Sequence, residues 1–465
     1  MREFEYAFEQ GLAKGLRTHH KNPRNQEALV EAYNMRAGSE GLEPYLPLGN
    51  GFGEQPTSAW PFPQLLIGSA YTLLVTRDAI LDAYRVYRVE DNWSLTHLVD
   101  VDDLTFGEGG PFDMVELGSF VLLVNESTLI RRDPTSGAWN GYNANTLYAP
   151  IPLMRTMCNF KGQLVGGGVG SAWYDCGSDA LVWSRIGSET FTPDRSNTAG
   201  FRRLPRGGNL LRTLRLGDMV VGYSDREVVA LVPKADPAPT FGLQEMIPVG
   251  IPSRGCVGGW EQEHLFVDNS GWLWKLTEKG PTRLGYQEFI SQLTAANIVI
   301  TFEPTERDFY ITDGCRCFLY SAYGGLTEVH QCVNGAGLVN YERAAVWHAV
   351  NDLTARVTTD TLDFGMRGLK TLEALEFGLD SPHPLQASVW WRSERRKVMV
   401  QGPWVEVNDQ GAVAYPISGN DLRISLRATH YEELYLDYIK LRWKMTDLRT
   451  LRGVYAPPTS ARGQR

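Results

Sequence analysis

The chain has 465 residues, 43% hydrophobic and 21% charged, a composition that excludes global disorder and supplies core enough for two or three domains. Its formal net charge of −9 excludes a generally basic nucleic-acid coat, and no apolar run approaches the roughly 18 residues a membrane helix needs. Forty-seven Gly, 25 Pro and 11% aromatics point to an all-β chain, while six Cys are too few for a disulfide scaffold and fit a reduced cytosolic origin.

The opening, MREFEYAFEQ, has no apolar signal core, so export by the general secretory route is not expected. Residues 7–16 have modest helical character and run into a basic cluster that includes Lys14, Arg17, Lys21 and Arg24. Residues 34–48 are irregular and contain two prolines. Residues 1–59 are therefore expected to form an extended N-terminal arm with a short helix, its basic residues available for contacts.

From residue 60 the pattern changes to short apolar runs broken by polar turns, the signature of strands. Residues 65–68, 71–76 and 83–89 form one group, and 114–117, 120–125 and 128–132 the next. Turn-like pairs recur inside these groups: Arg77-Asp78, Glu126-Ser127, Ser224-Asp225, Asn269-Ser270 and Asp313-Gly314. Their successive spacings are 49, 98, 45 and 44, and 98 is twice 49. A diverged copy should fall between residues 150 and 200, where LVGGGV at 164–169 and ALVWS at 180–184 supply a candidate. About six units of some 45 residues fit the blades of a β-propeller over residues 60–350. A two-sheet sandwich with hairpins is the competing architecture.

The rhythm stops near residue 338. Runs at 372–379, 385–392, 404–408, 421–428 and 433–445 predict an antiparallel β-sandwich over residues 351–456. The end, residues 457–465, is expected to be a disordered tail.

Few residues are arranged for chemistry. Cys315 and Cys317 with Cys332 lack a histidine constellation and are expected to be buried free thiols. The eight His are scattered, and no GxSxG elbow occurs. Gly166, Gly167, Gly168 and Gly170 precede no phosphate-binding Lys-Ser/Thr, so close approach of strands is the better account. Neither an active site nor a cofactor or metal is expected.

Charge is more telling. Asp100, Asp102, Asp103, Glu108 and Asp113 lie in an acidic stretch expected to face a partner. Arg195, Arg202, Arg203, Arg206, Arg212 and Arg215 stand against one acid, Asp194, in what should be a long loop between blades. Such arginines suit phosphate oxygens. They equally suit the acidic stretch of a neighbouring blade or subunit, and both alternatives stand at this point.

The order of several segments resembles the tail hub (nozzle) proteins of short-tailed bacteriophages, also called packaged-DNA stabilisation proteins. These segments are YNMRAGSEGL at 33–42, VWS at 182–184 with the arginines after it, GDMVVGYSDREVVAL at 217–231, GIPSRGCVG at 250–258, and a closing sandwich with a long basic-aromatic strand. The basic start, residues 14–24, departs from that pattern. The resemblance implies a non-enzymatic virion protein, assembled in the bacterial host cytoplasm and without membrane insertion. It would form a ring homo-oligomer, a hexamer, below the portal and head–tail adaptor ring. It would extend and close the channel for packaged double-stranded DNA, which it contacts non-specifically, and would seat the tail needle, fibres or spikes. Two alternatives remain open: a propeller that binds or hydrolyses glycans with carboxylates at its axis, and a cell-surface adhesion module.

Overall fold

A computed structural model of the chain describes residues 3–19, 27–49, 60, 62–78, 83–102, 110–170, 173–174, 176–194, 197–234, 240–339, 342–349, 352–366, 368–394 and 397–446. Lys21, Arg24, Asp103, Glu108, Arg195 and the expected tail lie outside these residues. The chain divides into two compact units, one of residues 47–317 and 331–350, the other of residues 1–46, 318–330 and 351–465.

In the first unit, strands alternate Val, Leu, Ile and aromatic residues with tight turns, and consecutive strands pair as antiparallel meanders. Five four-stranded sheets follow one another. The first has Gln64–Ile67, Thr72–Asp78, Ala83–Val89 and Leu95–Asp102. The second has Asp113–Leu117, Phe120–Asn125, Thr128–Arg132 and Trp139–Tyr142. The third has Met154–Phe160, Gln163–Val169, Ala180–Trp183 and Gly200–Arg203. The fourth has Leu210–Leu216, Met219–Ser224, Val228–Pro233 and Phe241–Ile247. The fifth has Val257–Trp260, Glu263–Val267, Leu273–Thr277 and Gly280–Gly285. Two hairpins complete the unit: Val299–Glu303 with Asp308–Thr312, and Gln331–Val339 with Glu342–Ala349.

Burial follows the two-residue period of a strand. Leu122 and Val124 face a core shared with Met154, Met157 and Leu164 of the third sheet. Leu123, between them, joins Leu73, Val75 and Tyr84 of the first sheet. Val165, next to Leu164, packs instead with Leu210, Val220 and Val229 of the fourth. The second and third sheets are thus slabs buried on both faces by their neighbours. The first strands touch in order, second on first, third on second, and so on to Val299–Glu303. Gln331–Val339 then contacts both Val299–Glu303 and Gln64–Ile67. The circuit closes, an arrangement consistent with a β-propeller.

The predicted hairpins fall where the spacing puts them: Glu126-Ser127, Ser224-Asp225 and Asn269-Ser270 join second to third strands. The expected diverged copy is also a hairpin, Gln163–Val169 pairing antiparallel with Ala180–Trp183. Arg77-Asp78 instead ends a strand, Thr72–Asp78. Gly167 is required by close approach, since a Cβ there would strike the Ala180 carbonyl and the Leu210 side chain.

The second unit contains one sheet ordered Met35–Ala37, Leu42–Pro44, Tyr435–Met445, Lys370–Asp380 and Ala412–Gly419, with Glu3–Phe8 also on Tyr435–Met445. Another runs Leu326–Val329, Leu29–Tyr33, Ala355–Thr359, Asp421–Ala428, Leu385–Arg392 and Val400–Gln401. The first residues are therefore strands of these sheets rather than an extended arm. Glu3 pairs with Lys444 and Phe8 with Ile439, and the Phe4 ring stacks on Trp443 at 4.7 Å between centroids. A short helix, Gln10–Lys14, does follow. Of the expected run at 404–408 only Val405–Glu406 pairs, and Ala412–Gly419 is a strand the sequence pattern hides.

Candidate functional site

The first strands of the sheets, with Val299–Glu303 and Gln331–Val339, line an open axial cavity of about 420 Å³. Its lining includes Gln64, Asp113, Glu116, Cys158, Arg212, Gly258, Thr301 and Asn334. Polar side chains on these strands bond each sheet to the next. The Gln64 amide exchanges two hydrogen bonds with the Phe112 backbone, at 2.9 and 2.7 Å. Thr156 Oγ1 donates to Asp113 at 2.6 Å and accepts from the Thr213 amide at 2.8 Å. Arg212 Nη1 donates to the Val257 carbonyl at 3.0 Å, and Asn334 donates to the Pro63 carbonyl at 2.8 Å.

Asp113 is the centre of this network. It is 7% exposed, lies 3.0 Å from Arg254 Nη2 and 3.4 Å from Arg212 Nη2, and accepts from the Met157 amide at 3.3 Å. Arg254 is itself buried and donates to the Val124 carbonyl at 3.1 Å. Burial pushes the Arg254 pKa down, and the Asp113 carboxylate opposes that shift. Beside the cluster, Arg155 pairs with Glu126. Cys158 is pushed up to about 12 by burial, so this thiol is not a ready nucleophile.

The other carboxylate of the lining, Glu116, is equally engaged. It accepts from the amides of Ser69 at 2.8 Å, Ala70 at 3.0 Å and Tyr71 at 3.2 Å.

These positions revise the expected charged loops. Arg212 and Arg215 are not on a loop but on the first strand of the fourth sheet. Arg215 pairs with Glu261 at 2.6 Å. Arg202 and Arg203 end the outermost strand of the third sheet, Gly200–Arg203, and are exposed. Arg206 follows in the turn, 2.7 Å from Glu245. In the acidic stretch, Asp113 belongs to the buried network rather than to a partner-facing loop. Asp100 and Asp102 lie exposed on the outermost strand of the first sheet, and Asp100 meets His97 at 2.8 Å. One acid and one arginine from the two stretches thus meet inside a single chain. The bonding needs of buried strand starts, not a loop's solvation, place them there.

In the other unit, Arg17 pairs with Asp360 at 2.9 Å, and Lys14 is exposed at the end of the helix. Cys315 is exposed while Cys317 is buried, so the two thiols do not share an environment. Among the described residues no group of three or more His, Cys, Asp or Glu is placed to hold a metal ion.

Arg254, Thr156 and Thr213 escaped the sequence reading. Thr156 and Thr213 lie within the first strands of the third and fourth sheets, and Arg254 just before the first strand of the fifth, positions that no local pattern singles out.

No protein-family model matches the chain, and no curated protein matches it. Among solved structures it is similar to PorZ, a surface component of the type-IX secretion system of Porphyromonas gingivalis, at 10% identity and a TM-score of 0.36. That likeness covers 63% of this chain and 35% of PorZ, so it spans about a third of PorZ's length. It is also similar to the Pan2 WD40 domain of Neurospora crassa, at 6% identity and a TM-score of 0.36, covering 64% of this chain and 85% of that one.

Proposed function

We propose that this chain is a structural subunit of a short bacteriophage tail, a β-propeller of about six blades together with a β-sandwich, assembling into a ring homo-oligomer as a tail hub. The observation that carries this reading is the placement of unlike charges on two separate outer strands. Exposed Asp100 and Asp102 edge the first sheet, and exposed Arg202 and Arg203 edge the third. A ring closes through heterologous contacts, one patch on each subunit meeting a different patch on the next. Two sheets of separation around one circuit suit that geometry.

Further support comes from the axis. Both carboxylates lining the cavity, Asp113 and Glu116, are committed to holding strands, which favours a scaffold over a propeller hydrolase needing a free acid pair. The cavity is too narrow for a DNA duplex. The channel for packaged double-stranded DNA is therefore the hole of the assembled ring, with the adaptor ring above and the needle, fibres or spikes below.

Charge exchange tests the assembly. The double variant Arg202→Glu/Arg203→Glu should sediment as monomers where the unaltered chain forms a ring. Mixing it with Asp100→Lys/Asp102→Lys should restore the ring. Sedimentation of the unaltered chain as monomers, with purified adaptor present, defeats the reading.

A further inference from the structure

Two histidines far apart in the sequence come together in the second unit. His383 lies in the turn between Lys370–Asp380 and Leu385–Arg392, and His430 in the turn between Asp421–Ala428 and Tyr435–Met445. Leu385 pairs with Ala428, so the ladder holds the two turns side by side. The imidazole rings stand 5.0 Å apart between centroids, at 47° to one another.

Both turns are pinned. Tyr431 and Leu434, at 3% and 1% exposure, anchor the second. In the first, Pro382 and Pro384 flank His383 with their fixed φ angles, and the His383 amide donates to Ser381 Oγ at 3.2 Å. The rings themselves reach solvent, His430 exposed and His383 half-buried. Neither ring forms a hydrogen bond with a described residue, so their nitrogens are available as ligands. Two imidazoles bound to one ion through nitrogens about 2.0–2.1 Å from it, at a tetrahedral angle, have centroids about 5 Å apart.

We infer that His383 and His430 together bind a divalent transition-metal ion, Cu²⁺ most tightly and Zn²⁺ less so, the order that nitrogen ligands impose. No third His, Cys, Asp or Glu joins them among the described residues, so water completes the shell. Lys370–Asp380 and Tyr435–Met445 belong to one sheet of the unit, Leu385–Arg392 and Asp421–Ala428 to the other. An ion held by both turns therefore clips together two crossings between the sheets. The site belongs to the single chain and does not depend on ring assembly.

Calorimetric titration and thermal unfolding of the full chain decide the matter, with CuCl₂, ZnCl₂ and MgCl₂ as separate probes. The unaltered chain is expected to bind one more equivalent of Cu²⁺ than either His383→Ala or His430→Ala. Zn²⁺ should bind the same site more weakly, and Mg²⁺, which takes oxygen ligands, should give no saturable heat. Zn²⁺ at a hundredfold excess over Kd should raise Tm by about 3 °C, and by less in either variant. His97→Ala, an exposed histidine of the first sheet, should leave the binding unchanged. Should His383→Ala fail to fold, His383→Gln keeps a polar side chain and should lose the same equivalent. Equal binding by the unaltered chain and both variants, loss in only one of them, or no saturable response to Cu²⁺ overturns the inference.

Discussion

Tyr223 and His264 join two neighbouring sheets through one hydrogen bond of 2.8 Å. His264 Nε2 lies 2.9 Å from the Arg215 carbonyl, which can only accept, so Nε2 carries the proton and Nδ1 accepts from the Tyr223 hydroxyl. The imidazole is fully buried and is held neutral by burial, its pKa lowered to about 4.

That shift makes stability depend on pH. In the unfolded chain this histidine titrates near 6.5, so between pH 6.5 and 4 the unfolded state binds the extra proton. The contribution is fully present above pH 6.5 and is lost as pH falls towards 4, up to about 3 kcal/mol. His264→Gln should reduce the slope of unfolding free energy against pH across this window. Urea melts at half-unit pH steps measure it, and an unchanged slope would show that other groups dominate.

Asp113 answers two arginines, the buried Arg254 and the half-buried Arg212. Asp113→Ala should cost about 3–5 kcal/mol, since it leaves both guanidinium groups without their carboxylate. The urea midpoint reports the loss.

Phe8 has no exposed surface and pairs across from Ile439. Phe8→Ala should destabilise by about 3–5 kcal/mol through the cavity it leaves. Hydrogen exchange should accelerate along Tyr435–Met445, while strands such as Met219–Ser224 in the other unit stay protected.

Thiol chemistry gives a simple readout. All six cysteines are free and Cys315 alone is exposed, whereas burial lifts Cys158 to about 12 and Cys256 to about 11. A thiol reagent at pH 8 should label one cysteine rapidly, and Cys315→Ser should remove that fast phase.

The series of sheets was legible in the sequence because the second-to-third turns of the second, fourth and fifth sheets are built locally, from short polar pairs between apolar runs. Glu126-Ser127 and Asn269-Ser270 advertise themselves that way. The strand Ala412–Gly419 does not, since Pro416 and Gly419 break up its apolar pattern and the strand forms by pairing with the distant Lys370–Asp380. Pairing of Glu3–Phe8 with a strand more than four hundred residues later is likewise invisible to local pattern. The charged stretches were legible as charge but not as place. Asp113 and Arg212 lie in segments of opposite sign, yet both are strand residues turned to a common axis.

The seam of the first unit lies between residues at opposite ends of it, where the Asn334 side chain bonds the Pro63 carbonyl. On a ribosome adding about 5–20 residues per second, the sheet edge at Gln64–Ile67 emerges many seconds before its partner exists. Throughout synthesis the nascent chain is an open arc with a bare edge at each end, the state most exposed to mispairing with another chain. Release from that hazard arrives only with the last hairpin, so truncated translation products lacking residues 331–350 should aggregate rather than accumulate as soluble fragments.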